Sequence, residues 1–460
     1  MTLQEYVDSL REKRIAVLGI GVSNTPLIEL LLQNGCDVTA CDKRSLEQMG
    51  ELGKQLLEQG AKLQLGEGYL DHLDQDVIFR TPGLMPFDPH LEAARSRGSI
   101  ITSEMEVFLS LCPCKVIAVT GSDGKTTTTT IISELLKAEG YRIHLGGNIG
   151  HPLLCDLPQI RPDDYAVLEL SSFQLHSMVC HPDVAVITNL TPNHLDKHKD
   201  FQDYIDAKRA IYQNQSPEGR LILNADDAHS AYYSASAPGK ISYFSDRQTV
   251  RCGTMLRDGW LCWADGDAIA PILPASEIRI PGEHNVLNYL AAFEAVRGLV
   301  SAETCRRVAR DFPGVAHRLE LVRELRGVRY INDSIGSSPT RTIAGLHALK
   351  TKPIIICGGY DKQIPFDTLG DELCLHAKLV ILTGHTAEKI RAAILASSRY
   401  QQEHPPIILV GDFKKAVLTA SAYAKEGDTV LLSPACASFD HFKNFEERGN
   451  TYKKIVMELI

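Results

Sequence analysis

The sequence predicts an α/β protein of about three domains with mainly parallel sheets. Short apolar runs typical of buried strands recur along the whole chain, and helical stretches separate them. The chain has 460 residues, of which 44% are hydrophobic and 23% charged, as is usual for globular proteins. At about 150 residues per domain, this length indicates about three domains.

The candidate strands fall into three blocks. They are 15–18, 38–41 and 77–79 in the first block, 116–119, 165–170 and 184–188 in the second, and 354–356, 379–382, 407–410 and 430–432 in the third. Prolines precede the second and third blocks, so we place domains at 1–103, 104–313 and 314–460. Residues 240–275 form short, polar segments with scattered aromatic residues. This pattern indicates a β-rich insert.

The net charge, the N-terminal sequence and the cysteines limit the classes of protein to which the chain can belong. The 48 basic and 57 acidic residues give a net charge of −9, so we expect no general attraction to nucleic acid or anionic membranes. The N-terminus lacks a signal-peptide pattern and no apolar run reaches spanning length, which favours a cytoplasmic protein without membrane insertion. The 12 cysteines lack framework spacing and are expected to be free thiols, and Cys112 and Cys114 lack a second pair for zinc.

A phosphate-binding loop is predicted directly after strand 116–119. Glycines permit a tight turn whose N–H groups point at an anion, Lys125 adds a positive charge, and the Thr126 hydroxyl can bind Mg²⁺. Val119 stands where the usual motif has its first glycine, so the loop is shortened, and a glycine-rich turn with a surface lysine is the alternative. We expect the Asp123 carboxylate to point away from bound phosphates or towards a cation. The predicted nucleotide-binding residues are Gly121, Ser122, Asp123, Gly124, Lys125, Thr126 and Thr127.

Three further polar residues in the same block stand out, two by the strand pattern and one by helical spacing. Glu169 ends one strand and His194 lies in the loop after the next, and ligands of parallel sheets bind at such carboxyl ends. Lys208 falls on the apolar stripe of the predicted helix 201–212, whereas Arg209 falls off it. The alternatives are a structural histidine and a lysine whose stem passes along the core.

The chain resembles the Mur ligase family over essentially its whole length. The motifs that carry this resemblance are 121–127, 147–150, 168–175, 193–196, 282–285, 316–318, 332–334 and 432–438. The stretch 433–445 is similar to the branch that adds D-glutamate to UDP-N-acetylmuramoyl-L-alanine. The resemblance implies a Rossmann-like UDP-substrate domain, a central P-loop ATPase-type domain and a C-terminal Rossmann-like amino-acid domain. It also implies that ATP phosphorylates the substrate carboxylate and that the amine of D-glutamate attacks the acyl phosphate.

The resemblance also assigns roles to residues. Lys125 and Thr126 would hold the ATP phosphates and one Mg²⁺, while Glu169, His194 and a carbamylated Lys208 would surround a second Mg²⁺. Asn148 and His194 would contact the muramoyl substrate. The residues expected around the adenine, ribose and phosphates are Asn285, Asn288, Arg318 and Asp333.

The first domain imitates a dinucleotide-binding fingerprint. Gly19 and Gly21 follow a strand and Asp42 comes about twenty residues later, but Asn24 stands at the third glycine position. An NAD(P)-dependent dehydrogenase and a nucleotide-regulated binding module without chemistry are therefore the alternatives from other classes. The resemblance instead implies uridine and diphosphate contacts from Ser23, Asp42, Lys43, Arg44 and Gly83.

One position departs from the family pattern. Ile335 stands where the family commonly has a lysine, and we hypothesise that Arg341 supplies the missing charge to the incoming amino acid, since arginine can grip a carboxylate through two hydrogen bonds. The other residues expected at the amino-acid site are Ser337, Lys362, Ser438 and Phe445. A related Mur or folylpolyglutamate-type ligase that uses another amino acid stays an alternative. We expect a monomer.

Overall fold

The computed structural model describes residues 1–191, 197–361 and 364–460. It confirms the predicted α/β class, because three mostly parallel sheets alternate with helices along the chain. The chain divides into two compact units, one of Met1–Glu277 with Val286–Arg310 and the other of Ile278–Asn285 with Asp311–Ile460. The first two sheets lie in the first unit and the third sheet lies in the second. The boundaries at 103 and 313 stay predictions.

The first sheet has five parallel strands in the order β3-β2-β1-β4-β5. The three predicted strands are present, whereas β3, in which polar residues alternate with leucine, and the three-residue β5 were not predicted. The strands are β1 (Arg14–Leu18), β2 (Asp37–Asp42), β3 (Lys62–Leu65), β4 (Val77–Phe79) and β5 (Ile100–Thr102). The helices are α1 (Leu3–Asp8), α2 (Thr25–Gln33), α3 (Leu46–Met49), α4 (Glu51–Glu58), α5 (Pro89–Ser96) and α6 (Glu104–Leu111).

The second sheet has nine strands in the order β14-β13-β12-β11-β10-β9-β6-β8-β7. Only the pairs β12-β13 and β13-β14 are antiparallel, and they confirm the predicted β-rich insert. The strands are β6 (Lys115–Thr120), β7 (Ile143–Gly147), β8 (Tyr165–Glu169), β9 (Val184–Ile187), β10 (Arg220–Asn224), β11 (Lys240–Ser245), β12 (Cys252–Arg257), β13 (Trp260–Asp265) and β14 (Ala268–Pro274). The helices are α7 (Lys125–Glu139), α8 (Ser172–Leu175), α9 (Phe201–Arg209), α10 (Ser230–Ser234), α11 (Glu283–Ala295) and α12 (Ala302–Asp311), with a 3₁₀ helix at Leu154–Gln159.

The third sheet has six strands in the order β15-β16-β20-β17-β18-β19, and only the β15-β16 pair is antiparallel. Separate apolar clusters cover its two faces, as expected of a parallel sheet between helices. The strands are β15 (Glu320–Leu325), β16 (Val328–Asn332), β17 (Ile354–Cys357), β18 (Leu379–Leu382), β19 (Ile407–Leu409) and β20 (Thr429–Leu432). The helices are α13 (Pro339–His347), α14 (Asp367–His376), α15 (Ala387–Ala396), α16 (Phe413–Tyr423) and α17 (Phe445–Glu458).

Strand β6 lies between β8 and β9, so the segments that follow these three strands meet at one edge of the second sheet. The predicted helix 201–212 is three residues too long, because α9 ends at Arg209 and the N–H of Ile211 donates to the carbonyl of Lys208 only three residues back. All 12 cysteines are free thiols, and Cys252 is the exposed one. Among the described residues, no helix combines the length and the apolarity needed to cross a membrane.

Candidate active site

The predicted phosphate loop joins β6 to α7 and requires glycine at two positions. Gly124 caps α7 with φ 79°, and Gly121 has φ 144°. A Cβ atom on Gly121 would lie 1.9 Å from Thr188 Oγ1, and one on Gly124 would lie 2.4 Å from Asn288 Oδ1. Both glycines therefore combine a left-handed backbone with a close neighbour, which no other residue type tolerates without strain.

The middle of the loop is tied to the segment that follows β9. The backbone N–H of Asp123 donates to Asn189 Oδ1 at 2.9 Å, and its carbonyl accepts from Thr188 Oγ1 at 2.6 Å. Asp123 is exposed, and where its carboxylate points when a nucleotide is bound stays a prediction. These bonds hold the loop in one conformation before any ligand arrives.

Two lysines converge on the same loop carbonyl. Lys125 Nζ donates to the carbonyls of Gly121 at 3.0 Å and Ser122 at 2.9 Å. Lys208 Nζ donates to the Gly121 carbonyl at 3.0 Å and to Thr120 Oγ1 at 3.3 Å. Lys208 is only 1% exposed, which confirms its predicted place on the buried stripe.

Burial lowers the pKa of Lys208 well below its ordinary value, and the charge of Lys125 lowers it further. The centroid of the Tyr204 ring lies 4.5 Å from Lys208 Nζ. A lowered pKa increases the fraction of the lysine in the neutral amine form, which is the form that acts as a nucleophile.

Glu169 is the last residue of β8 and is also buried, with 1% of its surface exposed. Its Oε1 accepts from Asn148 Nδ2 at 2.7 Å. Its Oε2 is buried and has no hydrogen-bond partner among the described residues. A buried carboxylate oxygen without a partner is unfavourable unless a cation or donor satisfies it, so this oxygen fits the expected Mg²⁺ ligand.

Ser122 links the phosphate loop to α9 and to the segment after β9. Its hydroxyl donates to the carbonyl of Thr191 and accepts from the N–H of Thr191, both at 2.9 Å. The Tyr204 hydroxyl, also at 2.9 Å, then supplies its own proton, and burial raises the pKa of Tyr204 to about 12. The predicted ligand His194 lies outside the described residues.

A second polar cluster lies at the carboxyl ends of β16 and β20. Asp333 Oδ2 accepts from Ser433 Oγ at 2.7 Å, and Oδ1 accepts from the N–H of Leu319 at 3.3 Å. Burial raises the pKa of Asp333 to about 6, against the opposing hydrogen bond from Ser433 and the charge of Arg318. In the same unit, Asn285 Nδ2 donates to the carbonyl of Pro281 at 2.6 Å.

Arg341 reaches the position where the family lysine is missing. Its guanidinium donates to the carbonyl of Ile335 at 3.5 Å, and the residue is exposed. Phe445 begins α17, and its carbonyl accepts from Ser334 Oγ at 2.7 Å. Ser438 is buried and Ser337 half-buried, while Lys362 lies outside the described residues.

In the first sheet, the Asp42 carboxylate is paired with the Arg44 guanidinium. The guanidinium donates to both carboxylate oxygens at 2.9 Å, and the N–H of Ile20 adds a bond at 2.8 Å. Burial alone would raise the pKa of Asp42, but the hydrogen bonds from Arg44 hold it below its usual value. Asp42 therefore orients Arg44 and has little capacity left for a ligand. Three other predicted contacts are exposed, namely Ser23, Lys43 and Gly83.

Two consecutive segments match models of known domains. Residues 119–296 match the Mur ligase middle domain, and residues 317–436 match the Mur ligase, glutamate ligase domain. The chain belongs to the Mur ligase family. It is 49% identical to the UDP-N-acetylmuramoylalanine–D-glutamate ligase of Acetivibrio thermocellus, over 99% of this chain and 98% of that protein.

Solved structures of Mur ligases share the fold of this chain. A UDP-N-acetylmuramate-alanine ligase from Thermotoga maritima matches over 97% of this chain and 99% of its own, with a TM-score of 0.61 at 17% identity. A MurF ligase from the same species, in complex with ADP, matches over 98% of this chain and 97% of its own, with a TM-score of 0.57 at 18% identity. This likeness establishes the fold alone.

In this Mur ligase, Asn24 explains why the dinucleotide fingerprint misleads. Its side-chain amide donates to the carbonyls of Leu18 and Gly19 at 2.9 and 3.0 Å. A buried side chain thus fills the position where a third glycine would stand.

Sequence analysis missed three residues that shape the Mur ligase site. Thr188 and Asn189 hold the phosphate loop, and Tyr204 holds Ser122 and lies against Lys208. Polar residues directly after a buried strand were an available signal for the first two. Tyr204 was counted only as part of the apolar stripe, because periodicity does not show where a hydroxyl points.

Proposed function

We propose that this chain is an ATP-dependent ligase that adds D-glutamate to UDP-N-acetylmuramoyl-L-alanine during peptidoglycan precursor synthesis. The observation that carries the proposal is a group of three residues. Lys125 lies in the loop after β6, Lys208 lies on α9, and the buried carboxylate of Glu169 lies at the carboxyl end of β8. The 49%-identical relative that bears this activity in its name supports the choice of substrates.

The first step joins two anions, so positive charge must be placed before they meet. The substrate carboxylate oxygen forms a bond to the γ-phosphorus of ATP, and the bond from that phosphorus to the β–γ bridging oxygen breaks. The N–H groups of Gly124–Thr127 at the start of α7 and the Lys125 ammonium would stabilise the charge on the phosphates. Lys125 donates to the carbonyls of Gly121 and Ser122, and the third N–H of its ammonium would be directed at a phosphate.

The second step uses the acyl phosphate. The amine of D-glutamate attacks the carbonyl carbon, loses a proton, and phosphate leaves as the amide forms. Holding the amine and the acyl phosphate in one geometry replaces a costly encounter in solution.

A divalent cation fits the residues present, because Glu169 Oε2 is buried and lacks a partner in the described part of the chain. Mg²⁺ bound there would neutralise phosphate charge. Thr126 would hold one ion, and Glu169, His194 and a carbamate on Lys208 the other. In forming the carbamate, Lys208 Nζ bonds to the carbon of CO₂ and releases a proton, and the neutral amine favoured by burial is the form that reacts.

The remaining predicted residues would bind the UDP substrate, the nucleotide or D-glutamate. Arg44, held by Asp42, would bind the UDP moiety together with Ser23, Lys43 and Gly83, and Asn148 with His194 would contact the muramoyl group. Asn285, Asn288, Arg318 and Asp333 would surround the nucleotide. Arg341 would bind a carboxylate of D-glutamate in place of the family lysine, with Ser337, Lys362, Ser438 and Phe445 completing the site.

The proposed arrangement has a UDP-substrate domain at 1–103, an ATP-binding domain at 104–313 and an amino-acid domain at 314–460. It acts as a cytoplasmic monomer without nucleic acid or membrane insertion.

A ligation assay with product mass measurement tests the proposal. The chain is incubated with ATP, Mg²⁺ and UDP-N-acetylmuramoyl-L-alanine, and each of D-glutamate, L-glutamate and other amino acids is offered separately. We expect product with D-glutamate only, and one phosphate released per product. Lys125→Ala should abolish turnover, whereas Lys137→Ala should not, because Lys137 is an exposed residue of the same helix paired with Glu134. ATP cleavage without amide formation, or preference for another amino acid, would reject the proposal.

A further inference from the structure

Two histidines and an aspartate meet where α8 and α9 pack together. His176 caps the carboxyl end of α8, Asp203 lies in the first turn of α9, and His198 precedes that helix. His176 Nε2 lies 2.9 Å from Asp203 Oδ1, and His198 Nδ1 lies 2.8 Å from Asp203 Oδ2. Their ligand atoms all lie within 4.8 Å of one another.

These separations are close to those of ligands around one ion. In tetrahedral coordination, zinc–nitrogen bonds of about 2.0–2.1 Å and zinc–oxygen bonds of about 2.0–2.2 Å place neighbouring ligand atoms about 3.4 Å apart. The two nitrogen–oxygen distances in the cluster, 2.9 and 2.8 Å, are hydrogen-bond lengths and are shorter by about half an ångström. An ion could therefore enter with side-chain shifts of about that size, as each imidazole exchanges its hydrogen bond for a metal bond.

His198 also has the outer support usual for a metal-binding histidine. Its Nε2 lies 3.0 Å from Ser172 Oγ, which leaves Nδ1 directed at Asp203. The imidazole is buried, is stacked on Phe173 with centroids 5.5 Å apart, and meets the edge of Tyr204 at 5.2 Å. The ring that would carry one ligand is thus fixed before binding, whereas His176 and Asp203 keep 18% and 17% of their side chains exposed, enough for an ion to enter.

We propose that His176, His198 and Asp203 bind a transition-metal ion of the zinc class, with solvent completing the coordination. Two imidazole nitrogens and one carboxylate suit Zn²⁺ or Co²⁺ and not Mg²⁺, which prefers oxygen ligands. The ion would join α8, which closely follows Glu169, to α9, which carries Lys208. It is separate from the proposed Mg²⁺ sites and does not depend on the ligase proposal.

A second cluster on the surface provides the internal comparison. His347 and His376 both approach Glu372 Oε2, at 2.6 and 3.3 Å, and their side chains are 51% and 41% exposed. Zinc binding by the chain could therefore arise at either cluster, and the experiment must assign it.

The test compares two matched variants of the full chain. Chelator-treated wild type, His176→Gln and His376→Gln are titrated with Zn²⁺ by calorimetry in excess Mg²⁺, and Co²⁺ is followed by its visible absorption. Glutamine at 176 keeps a donor for Asp203 but removes the ligand nitrogen. We expect His176→Gln to weaken one zinc site by at least about tenfold, to lose its cobalt spectrum and to lose the rise in Tm on zinc addition. His376→Gln should keep all three signals.

The possible results distinguish binding at the proposed site from binding at the surface cluster and from loss of folding. Circular dichroism shows whether each variant folds, and Asp203→Asn provides a second variant of the same site. If wild type binds no zinc at equimolar concentration, or if only His376→Gln loses binding, the proposal is wrong. Equal zinc affinity in wild type, His176→Gln and Asp203→Asn would also overturn it.

Discussion

Lys125 and Lys208 donate hydrogen bonds to one carbonyl oxygen, that of Gly121, each at 3.0 Å. Their two nitrogens therefore lie no more than about 6 Å apart, where two full charges at an effective dielectric of 20 repel by roughly 3 kcal/mol. Lys208 is the buried member, so it is the one whose pKa falls. The phosphate loop thus has one lysine at the start of α7 for the nucleotide and, beside it, a buried lysine whose charged form is disfavoured.

Replacing Lys208 should abolish activity and spare the fold. Lys208→Met removes the amine but fills the same apolar stripe, so we expect ligation to fall at least about a hundredfold and unfolding free energy in urea to change by about 1 kcal/mol or less. Arg209→Met is the control, since Arg209 lies off the stripe and should leave the rate unchanged. An active Lys208→Met enzyme would exclude a role in the reaction.

The carbamate on Lys208 should be visible directly. Protein incubated with ¹³C-labelled bicarbonate is expected to show one carbamate carbon signal by NMR, because burial lowers the pKa of Lys208 and so favours its reactive neutral amine. Lys208→Met should lack the signal, and removing CO₂ should reduce ligation by wild type. A spectrum identical in the two proteins would exclude carbamylation at this residue.

Adding one methyl group to the phosphate loop should destabilise it. Gly124→Ala places a Cβ 2.4 Å from Asn288 Oδ1 at a residue with φ 79°, and we expect a loss of about 1–3 kcal/mol in unfolding free energy. Urea denaturation measures the loss. Gly21→Ala is the matched control, because its Cβ would meet nothing within 4 Å. Equal stability of the two variants would contradict the close approach.

Asp333 should make stability depend on pH between about 4 and 6. Its folded pKa of about 6 lies above the ordinary value of 3.8, so the folded state holds the proton more tightly than the unfolded state. Below this window Asp333 is protonated in both the folded and the unfolded state, so its ionisation does not change the unfolding free energy. As pH rises through it, the unfolded chain ionises first, and unfolding free energy falls by roughly 3 kcal/mol.

The Asp333 contribution is isolated by the difference between wild type and Asp333→Asn, measured by urea denaturation at several pH values. Other groups titrate in both proteins and cancel. The stability of wild type relative to the variant should decline from pH 4 to 6, and a difference that is flat or rises would contradict the raised pKa.

Arg341 should affect D-glutamate and not ATP. Removing its guanidinium in Arg341→Ala should raise KM for D-glutamate at least about tenfold, since a charged hydrogen bond contributes about 1.5–3 kcal/mol, and Arg341→Lys should recover part of the loss. Steady-state kinetics with each substrate varied distinguishes the two effects. Arg391→Ala, at an exposed arginine paired with Glu388, is the control. A KM for D-glutamate within twofold of wild type would refute the substitution of Arg341 for the family lysine.

The local pattern of apolar and polar residues was sufficient to predict much of the fold. Long apolar strands such as β6 and β18 were placed within two residues of their ends, and helical spacing alone put Lys208 on the buried stripe. Strand β7 was missed because His144 and two glycines interrupt its apolar run, and strand β10 was missed although its three apolar residues 221–223 are consecutive. Their pairing energy comes from neighbouring strands, which a local window does not contain.

The site was predicted less completely, for the same reason. Sequence order placed Glu169 and His194 at one sheet edge and helical spacing placed Lys208 on a buried stripe, but the shared carbonyl of Gly121 depends on how α9 packs on β6. The meeting of His176 with Asp203 likewise depends on the packing of α8 against α9. Neither contact leaves a periodic signal in the chain.

The distribution of cysteines gives the protein a practical property. Cys252 begins β12, and the other eleven thiols are buried or partly covered. A maleimide fluorophore should therefore label the edge insert first, where three strands separate β12 from β6. Such a label would follow tumbling or nucleotide-dependent motion by fluorescence without touching the chemistry it reports.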